Sequence, residues 1–282
     1  MTVNIDTFRS QGFTSTRPLA RPANARVETA VPAPFLSPLG AIALMISALG
    51  TIPIALAAKQ AREGQTDVRA LWWFGVALVV VPPVLRLCSR SPSRGERVLL
   101  VAALALFLFG TRLAFDPIRV PYHDELLHDF TARNIMRNHR LFDANSMLPA
   151  SPVFPGLEIV TTAIANVTGL SVPISGLLVV GLARLVTMLA LFLLVEQAAG
   201  SSYAAGLACA LYAANPQFTL WNSYFAYESL AIPLLILSAY CLFRSGHGPR
   251  LRWGIATALV TASLVAITGA CLLYTSPSPR DS

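Results

Sequence analysis

The residues best suited to chemistry lie together between positions 123 and 129, directly after a long apolar segment. They are His123, Asp124, Glu125, His128 and Asp129. The chain is 55% hydrophobic and 12% charged. A cluster of ionisable side chains beside a membrane span costs free energy unless water solvates it, so a cluster that is not solvated is expected to have a function. Carboxylates and imidazoles suit an active site, and they also suit Mg²⁺ or Mn²⁺. The spacing matches no specific metal motif, so the pattern favours an active site and only leaves a divalent cation open.

The spacing within this cluster predicts contacts if the segment is helical. Asp124 and Glu125 then diverge by about 100°, and their neighbours four residues later are His128 and Asp129. Two carboxylates can thus face one space with a histidine beside each. The alternative is a solvated helix start, where acidic residues favour the positive end of the helix.

The composition indicates a polytopic helical membrane protein. The mean hydropathy of the 282 residues is +0.60, and apolar runs of about 20 residues, the length that crosses a bilayer, recur along the chain. The net charge of +7 does not indicate nucleic-acid binding, because the arginines lie in short loops, where they orient a membrane protein. The four cysteines form no CxxC or zinc-ligand pattern, so neither disulfides nor a zinc site is predicted.

About seven segments are predicted to cross the bilayer, two of them with their loops in residues 35–97 and the rest in a membrane core at residues 98–270. Pro82-Pro83 is expected to kink the second span or to end its regular part. The expected spans are approximately residues 35–58, 70–88, 98–115, 174–195, 203–214, 230–243 and 253–270.

The arginine distribution predicts the orientation in the cell membrane. Residues 1–34 are expected to form a disordered cytoplasmic tail. This tail and the loop at residues 89–97 are rich in arginine, and two spans separate them, so both are expected to be cytoplasmic. Residues 116–155 and 215–229 would then lie outside the cell.

The first outer loop is expected to contain interfacial helices. Residues 123–141 lack Gly and Pro and predict a helix whose polar residues face water. A second helix is expected at residues 157–167. The apolar residues of the first helix that we expect to face the bilayer are Leu126, Leu127, Phe130, Ile135 and Leu141.

Two further charges are candidates for a site. Arg184 lies within a long apolar run, where a lipid-facing position would cost roughly 2.5–3.5 kcal/mol. It is therefore expected to face a cavity or a partner, unless it snorkels to the interface. Glu228 lies among aromatic residues and either orients a polar substrate or caps the following helix.

The last residues of the chain are expected not to belong to the natural protein. Cys271 to Asp281 reads CLLYTSPSPRD, which resembles a translated sequencing adapter, so residues 271–282 are set aside as an artefact. The natural chain is then expected to continue past Ala270. The alternative is a genuine disordered tail.

Several motifs together resemble the GT-C class of membrane glycosyltransferases, in the branch of protein O-mannosyltransferases and lipid A aminoarabinose transferases. The resemblance covers about residues 98–270, incompletely at its C-terminal end. The motifs, in order, are Asp124-Glu125, Pro155-Gly156-Leu157-Glu158, Gly181-Leu-Ala-Arg184-Leu, Asn215-Pro216 and Phe225-Ala-Tyr-Glu228-Ser-Leu-Ala. One departure is Phe154-Pro155-Gly156, where relatives commonly show His-Pro-Pro.

The resemblance implies an enzyme that moves a sugar from a polyprenyl-phosphate donor to the hydroxyl of a glycan or protein acceptor on the outer face. Asp124 would be the general base, with Glu125 as the second catalytic carboxylate. Arg184 would neutralise the leaving phosphate. Other expected substrate contacts are His128, Tyr227 and Glu228. The alternatives are a transporter or flippase, which would carry charges and broken helices near the midplane, and a non-catalytic membrane assembly protein.

Overall fold

The fold is built from helices throughout the part of the chain that the computed structural model describes, which is residues 35–115, 122–146, 151, 153–246 and 250–274. The predicted all-α class is confirmed. The predicted tail at residues 1–34 lies outside the described residues, as does most of the predicted adapter segment. The helices are α1 Pro38–Arg62, α2 Arg69–Cys88, α3 Arg94–Phe115, α4 His123–Asn138, α5 Gly156–Thr168, α6 Val172–Ala199, α7 Ser202–Ala213, α8 Pro216–Thr219, a 3-10 helix Trp221–Ser223, α9 Tyr227–Ser245 and α10 Arg250–Tyr274.

Five of these helices are long and apolar enough to cross a membrane: α1, α2, α3, α6 and α9. The predicted multi-pass membrane protein is confirmed at this level, and the count of about seven spans stays a prediction. Helix α7 has 12 residues, which gives a length of about 18 Å against a hydrocarbon thickness of about 30 Å. In α10, the apolar stretch identified is Leu251–Val265.

The first two helices form a closely packed hairpin. A Cβ atom built on Gly75 would lie 3.0 Å from the carbonyl oxygen of Gly50, and one built on Gly50 would lie 2.9 Å from the amide nitrogen of Val79. Small residues let helix backbones approach in this way. Helix α2 continues through Pro82 and Pro83 to its end, so the prolines do not end its regular part.

Contacts between helix ends define two ends of the bundle. At one, Arg94 pairs with Glu196 at 2.7 Å, which places the start of α3 beside the end of α6. At the other, Arg62 donates to the carbonyl of Ala114 at 2.8 Å, which joins the ends of α1 and α3. We call the first the arginine end. The second, with residues 63–68, 122–146, 151, 153–171 and 214–226, is the loop end.

Helix α4 differs from its sequence prediction in the direction that its polar residues face. Glu125, His128 and Asp129 are buried, whereas Leu126 and Phe130 are exposed. The prediction that the polar residues face water is wrong for these three side chains. Glu125 and His128 find polar partners on other elements, and Asp129 pairs with Arg133 of the same helix. The prediction for Leu127 is also wrong, since it packs inside the protein at 7% exposure.

Two apolar clusters hold the bundle around α3 and α6. One includes Leu104 of α3, Phe192 of α6 and Phe218 of α8. The other includes Phe109 of α3 and Phe225 after the 3-10 helix. Helices α3 and α6 therefore carry the elements of the loop end on a common core.

Candidate functional site

A pocket of about 160 Å³ lies at the loop end. Helix α3 contributes an arginine in its last turn, and three aromatic side chains come from α2, from the start of α4 and from the segment before α9. The lining residues are Trp72, Thr111, Arg112, Tyr122, Thr219, Leu220 and Tyr224. A cationic group among aromatic rings suits an anionic ligand that also has an apolar face.

Glu125 joins the walls of this pocket. Its side chain is fully buried, and its Oε1 atom accepts from Nη2 of Arg112 at 2.7 Å and from the backbone N–H of Phe225 at 2.8 Å. Its Oε2 atom accepts from the backbone N–H of Tyr122 at 3.4 Å. One carboxylate thus links the end of α3, the start of α4 and the segment before α9.

Asp124 has the opposite environment. Its side chain is 73% exposed, and its Oδ1 atom lies 3.7 Å from Nδ1 of His123. The two adjacent carboxylates therefore do not face one space, and the predicted pairs at four-residue spacing do not form. His128 contacts Glu158 instead, and Asp129 pairs with Arg133.

His128 belongs to a buried polar cluster between α4 and α5. Its Nδ1 atom lies 2.7 Å from Oε1 of Glu158, which also accepts from Ser151 at 2.7 Å. Its ring meets that of Tyr227 edge-on, with centroids 4.2 Å apart. Thr131 links Ser151 to Asn145. These groups lie behind the pocket rather than on its lining.

Arg184 faces the protein interior, as expected, and the snorkelling alternative is wrong. Its side chain is 1% exposed. Nη1 donates to the carbonyl of Phe218 and, at 2.8 Å, to the hydroxyl of Ser223. The guanidinium also lies over the Phe218 ring, 4.1 Å from its centroid. It is not among the side chains that line the pocket.

The two remaining predicted residues begin α9. Tyr227 is buried and contacts His128, as described above. Glu228 is exposed in the first helical turn, where a negative charge is favourable. Its side chain does not line the pocket.

Two stacked tyrosines form one side of the pocket. The rings of Tyr122 and Tyr224 lie 4.1 Å apart at 30°. Burial, together with the hydrogen bond to Tyr122, raises the pKa of Tyr224 to about 12. The Tyr224 phenol is therefore a neutral hydrogen-bonding group at physiological pH.

Within the described ranges, no group of three or more His, Cys, Asp or Glu side chains is placed to hold a metal ion. The divalent cation considered from the residue types thus has no such ligand set in this part of the chain. The arrangement instead provides an arginine among aromatic rings, and the exposed carboxylate of Asp124 is next in sequence to the Glu125 that pairs with this arginine.

Sequence reasoning did not identify Arg112 or the tyrosine pair, and it named Glu158 only as part of a motif, without its contact to His128. A signal existed for Arg112, because it follows the uncharged run of residues 98–111 in α3. Arg184 drew attention because it also lies in an apolar run. No comparable signal shows that Tyr122 meets Tyr224, since the two are far apart in sequence.

No protein-family model, no curated protein and no solved structure matches the chain. Function is therefore inferred from the chemistry of the site.

Proposed function

We propose that this protein is a membrane glycosyltransferase that moves a sugar from a polyprenyl-phosphate donor to an acceptor hydroxyl at the loop end. The observation that carries the proposal is the pocket in which Arg112 meets aromatic rings beside Asp124-Glu125. Arginine binds phosphate oxygens in a bidentate manner. The faces of Tyr122 and Tyr224 offer an apolar surface to a sugar ring.

The position of the pocket fits a lipid-linked donor. Trp72 is in the first turn of α2, and Arg112 is in the last turn of α3, so the pocket lies where two candidate spans meet the loop end. A polyprenyl chain can remain in the bilayer while its phosphate and sugar enter there. The proposed orientation puts the loop end outside the cell and the arginine end in the cytoplasm, in line with the positive-inside rule.

The exposed Asp124 is the proposed general base. It removes the proton of the acceptor hydroxyl, and the resulting oxygen attacks the anomeric carbon as the bond to the phosphate oxygen breaks. The sugar is transferred with inversion, the proton stays on Asp124, and polyprenyl phosphate leaves. The acceptor is a glycan or a protein, and it reaches Asp124 from the aqueous side.

Arg112 is the arginine placed to stabilise the charge that develops on the phosphate, since it lines the pocket. A phosphate contact by Arg184 stays a prediction, because that side chain is enclosed by Phe218 and Ser223. Glu125 is engaged by Arg112 and by the Phe225 N–H. Its proposed contribution is therefore to hold the pocket together rather than to take the acceptor proton.

A transporter or flippase is a second candidate because one crossing of the bundle is interrupted. Helix α7 ends at Ala213, and short helices follow beside Arg184. Broken helices beside a charge are typical of transporter sites. Against this, α1, α2 and α9 continue through their internal prolines, so the interruption is confined to one place.

The test is transfer of labelled sugar from polyprenyl-phosphate donors in membranes that contain the protein. Asp124→Asn should abolish transfer. Asp67→Asn is the matched control, because Asp67 is another exposed carboxylate at the loop end. If labelled donor crosses the bilayer but no glycosylated product forms, the result would support a transporter or flippase and contradict the proposed enzyme.

A further inference from the structure

We infer that Arg184 and Glu125 are positioning residues that hold residues 216–225 in place as one wall of the pocket. Thr219, Leu220 and Tyr224 of this segment line the pocket. The two buried charges contact the segment at different points. The inference concerns the pocket of the proposed function, but its first test does not depend on activity.

This wall needs support because the regular helix before it, α7, ends before it has crossed the length of the bundle. Helix α7 covers only about 18 Å on its way back from the arginine end. Arg184, 12 residues after the start of α6, lies about 18 Å below the start of that helix. Irregular backbone at this depth is tolerated only where its polar groups find partners inside the protein.

Arg184 supplies such partners from the α6 side. It donates to the carbonyl of Phe218 in α8 and to Ser223 in the 3-10 helix. The Ser223 hydroxyl in turn donates to the carbonyl of Thr219 at 2.8 Å. The Arg184 guanidinium also stacks on the Phe218 ring, which helps to hold it in place. A single side chain thereby fixes both short helices of the wall.

Glu125 holds the other side of the same segment. Its Oε1 atom accepts from the N–H of Phe225, and the ring of Phe225 is fully buried against Gly176, with ring atoms 3.0 Å from where a Cβ would be. Tyr224, between these fixed points, stacks on Tyr122. The wall is thus held from α6 and from α4, with the pocket-lining residues in between.

Arg184→Met tests this directly by hydrogen exchange of the amides in residues 216–226 of the ligand-free protein. The substitution keeps an apolar stem but removes both donors, so exchange should accelerate on the order of tenfold to a hundredfold. Arg184→Lys retains a charged nitrogen that can donate but lacks the planar guanidinium, and its exchange rate should lie between those of the parent and Arg184→Met. Exchange that is unchanged in Arg184→Met would overturn the inference.

Arg97→Met is the matched control. Arg97 is also 1% exposed, and it donates to the carbonyls of Leu87 and Ser89 at the arginine end. Its loss should leave exchange in residues 216–226 within about twofold of the parent. Equal acceleration in both variants would mean general loosening and would also overturn the inference. If Arg184→Met does not fold, Arg184→Lys decides, with exchange faster than in the parent supporting the wall and unchanged exchange refuting it.

Polyprenyl phosphate binding separates this inference from the proposed function. With a held wall, Arg184→Met should weaken the dissociation constant for polyprenyl phosphate about tenfold, while Arg97→Met should not. If the parent protein fails to bind polyprenyl phosphate, the proposed function falls, and the exchange result still decides whether the wall is held. If the parent binds but Arg184→Met binds equally well, the role of the wall in the pocket is refuted.

Discussion

Removal of the Glu125 carboxylate should strongly destabilise the protein and also disrupt the pocket. The side chains of Arg112 and Glu125 are 8% and 0% exposed, so solvent screens their interaction little. Glu125→Ala leaves a buried guanidinium without its carboxylate and the N–H of Phe225 without its acceptor. Breaking one side of such a pair costs about 3–5 kcal/mol.

The measurement is the free energy of unfolding of the detergent-solubilised protein, together with binding of polyprenyl phosphate. Glu96→Ala is the control, because Glu96 is 2% exposed and accepts from Arg86 at 2.6 Å at the arginine end. Both variants should lose comparable stability, but only Glu125→Ala should also lose binding under conditions where the variant remains folded. Adding Arg112→Met to Glu125→Ala should recover part of the stability, since it removes the buried guanidinium that has lost its carboxylate.

A loss below about 1 kcal/mol in Glu125→Ala would refute the description of this pair as a buried ion pair. Equal loss of binding in Glu96→Ala would refute the specific connection between Glu125 and the pocket. Either result would favour the alternative interpretation, in which Glu125 is an ordinary acidic residue at the start of a helix.

Two further predictions concern helix packing and alkaline pH. Gly75→Ala should destabilise the α1–α2 hairpin by about 1–3 kcal/mol, because the new Cβ would meet the α1 backbone at 3.0 Å. Gly110→Ala is the control: its new Cβ would have no heavy atom within 4 Å, so it should be neutral or stabilising by about 0.5–1 kcal/mol. An equal loss of unfolding free energy in both variants would contradict the close approach of α1 and α2. For Tyr224, a pKa raised above its ordinary value means that the protonated phenol stabilises the fold below pH 10 and that this contribution is lost as the pH rises through about 12. Tyr224→Phe should therefore remove one late-ionising phenol from the tyrosinate absorbance titration, and an unchanged late phase would argue against the buried environment of this ring.

The length and hydropathy of the apolar runs were sufficient to predict the helical membrane class, because these two properties determine whether a segment can span a bilayer. It also identified Arg184 as an interior residue, since the cost of exposing a charge to lipid is a local property of the sequence. The number of spans is harder to predict. The segment around α7 is apolar yet short, and the short helices that follow it contact Arg184 of α6 through Phe218 and Ser223.

The orientation of the polar residues in α4 could not be predicted from the sequence, because the partners of Glu125 and His128 lie far away along the chain. His128 is buried by Glu158, 30 residues later, and Glu125 by the backbone of Phe225, 100 residues later. A pattern of polar residues on a helix predicts solvent exposure only when no other element brings polar partners. The adjacent carboxylates were thus expected to face one space, whereas the fold buries Glu125 and exposes Asp124.

Sugar transfer tests the central claim most directly. Membranes containing the protein, expressed from its natural gene so that any continuation past Ala270 is included, are supplied with labelled polyprenyl-phosphate sugars. Asp67→Asn and Asp124→Asn are assayed beside the parent. The proposed function predicts that the parent and Asp67→Asn form labelled product and that Asp124→Asn forms none. Transfer at parental rates in Asp124→Asn, or no transfer by correctly inserted parent protein with any donor, would contradict it.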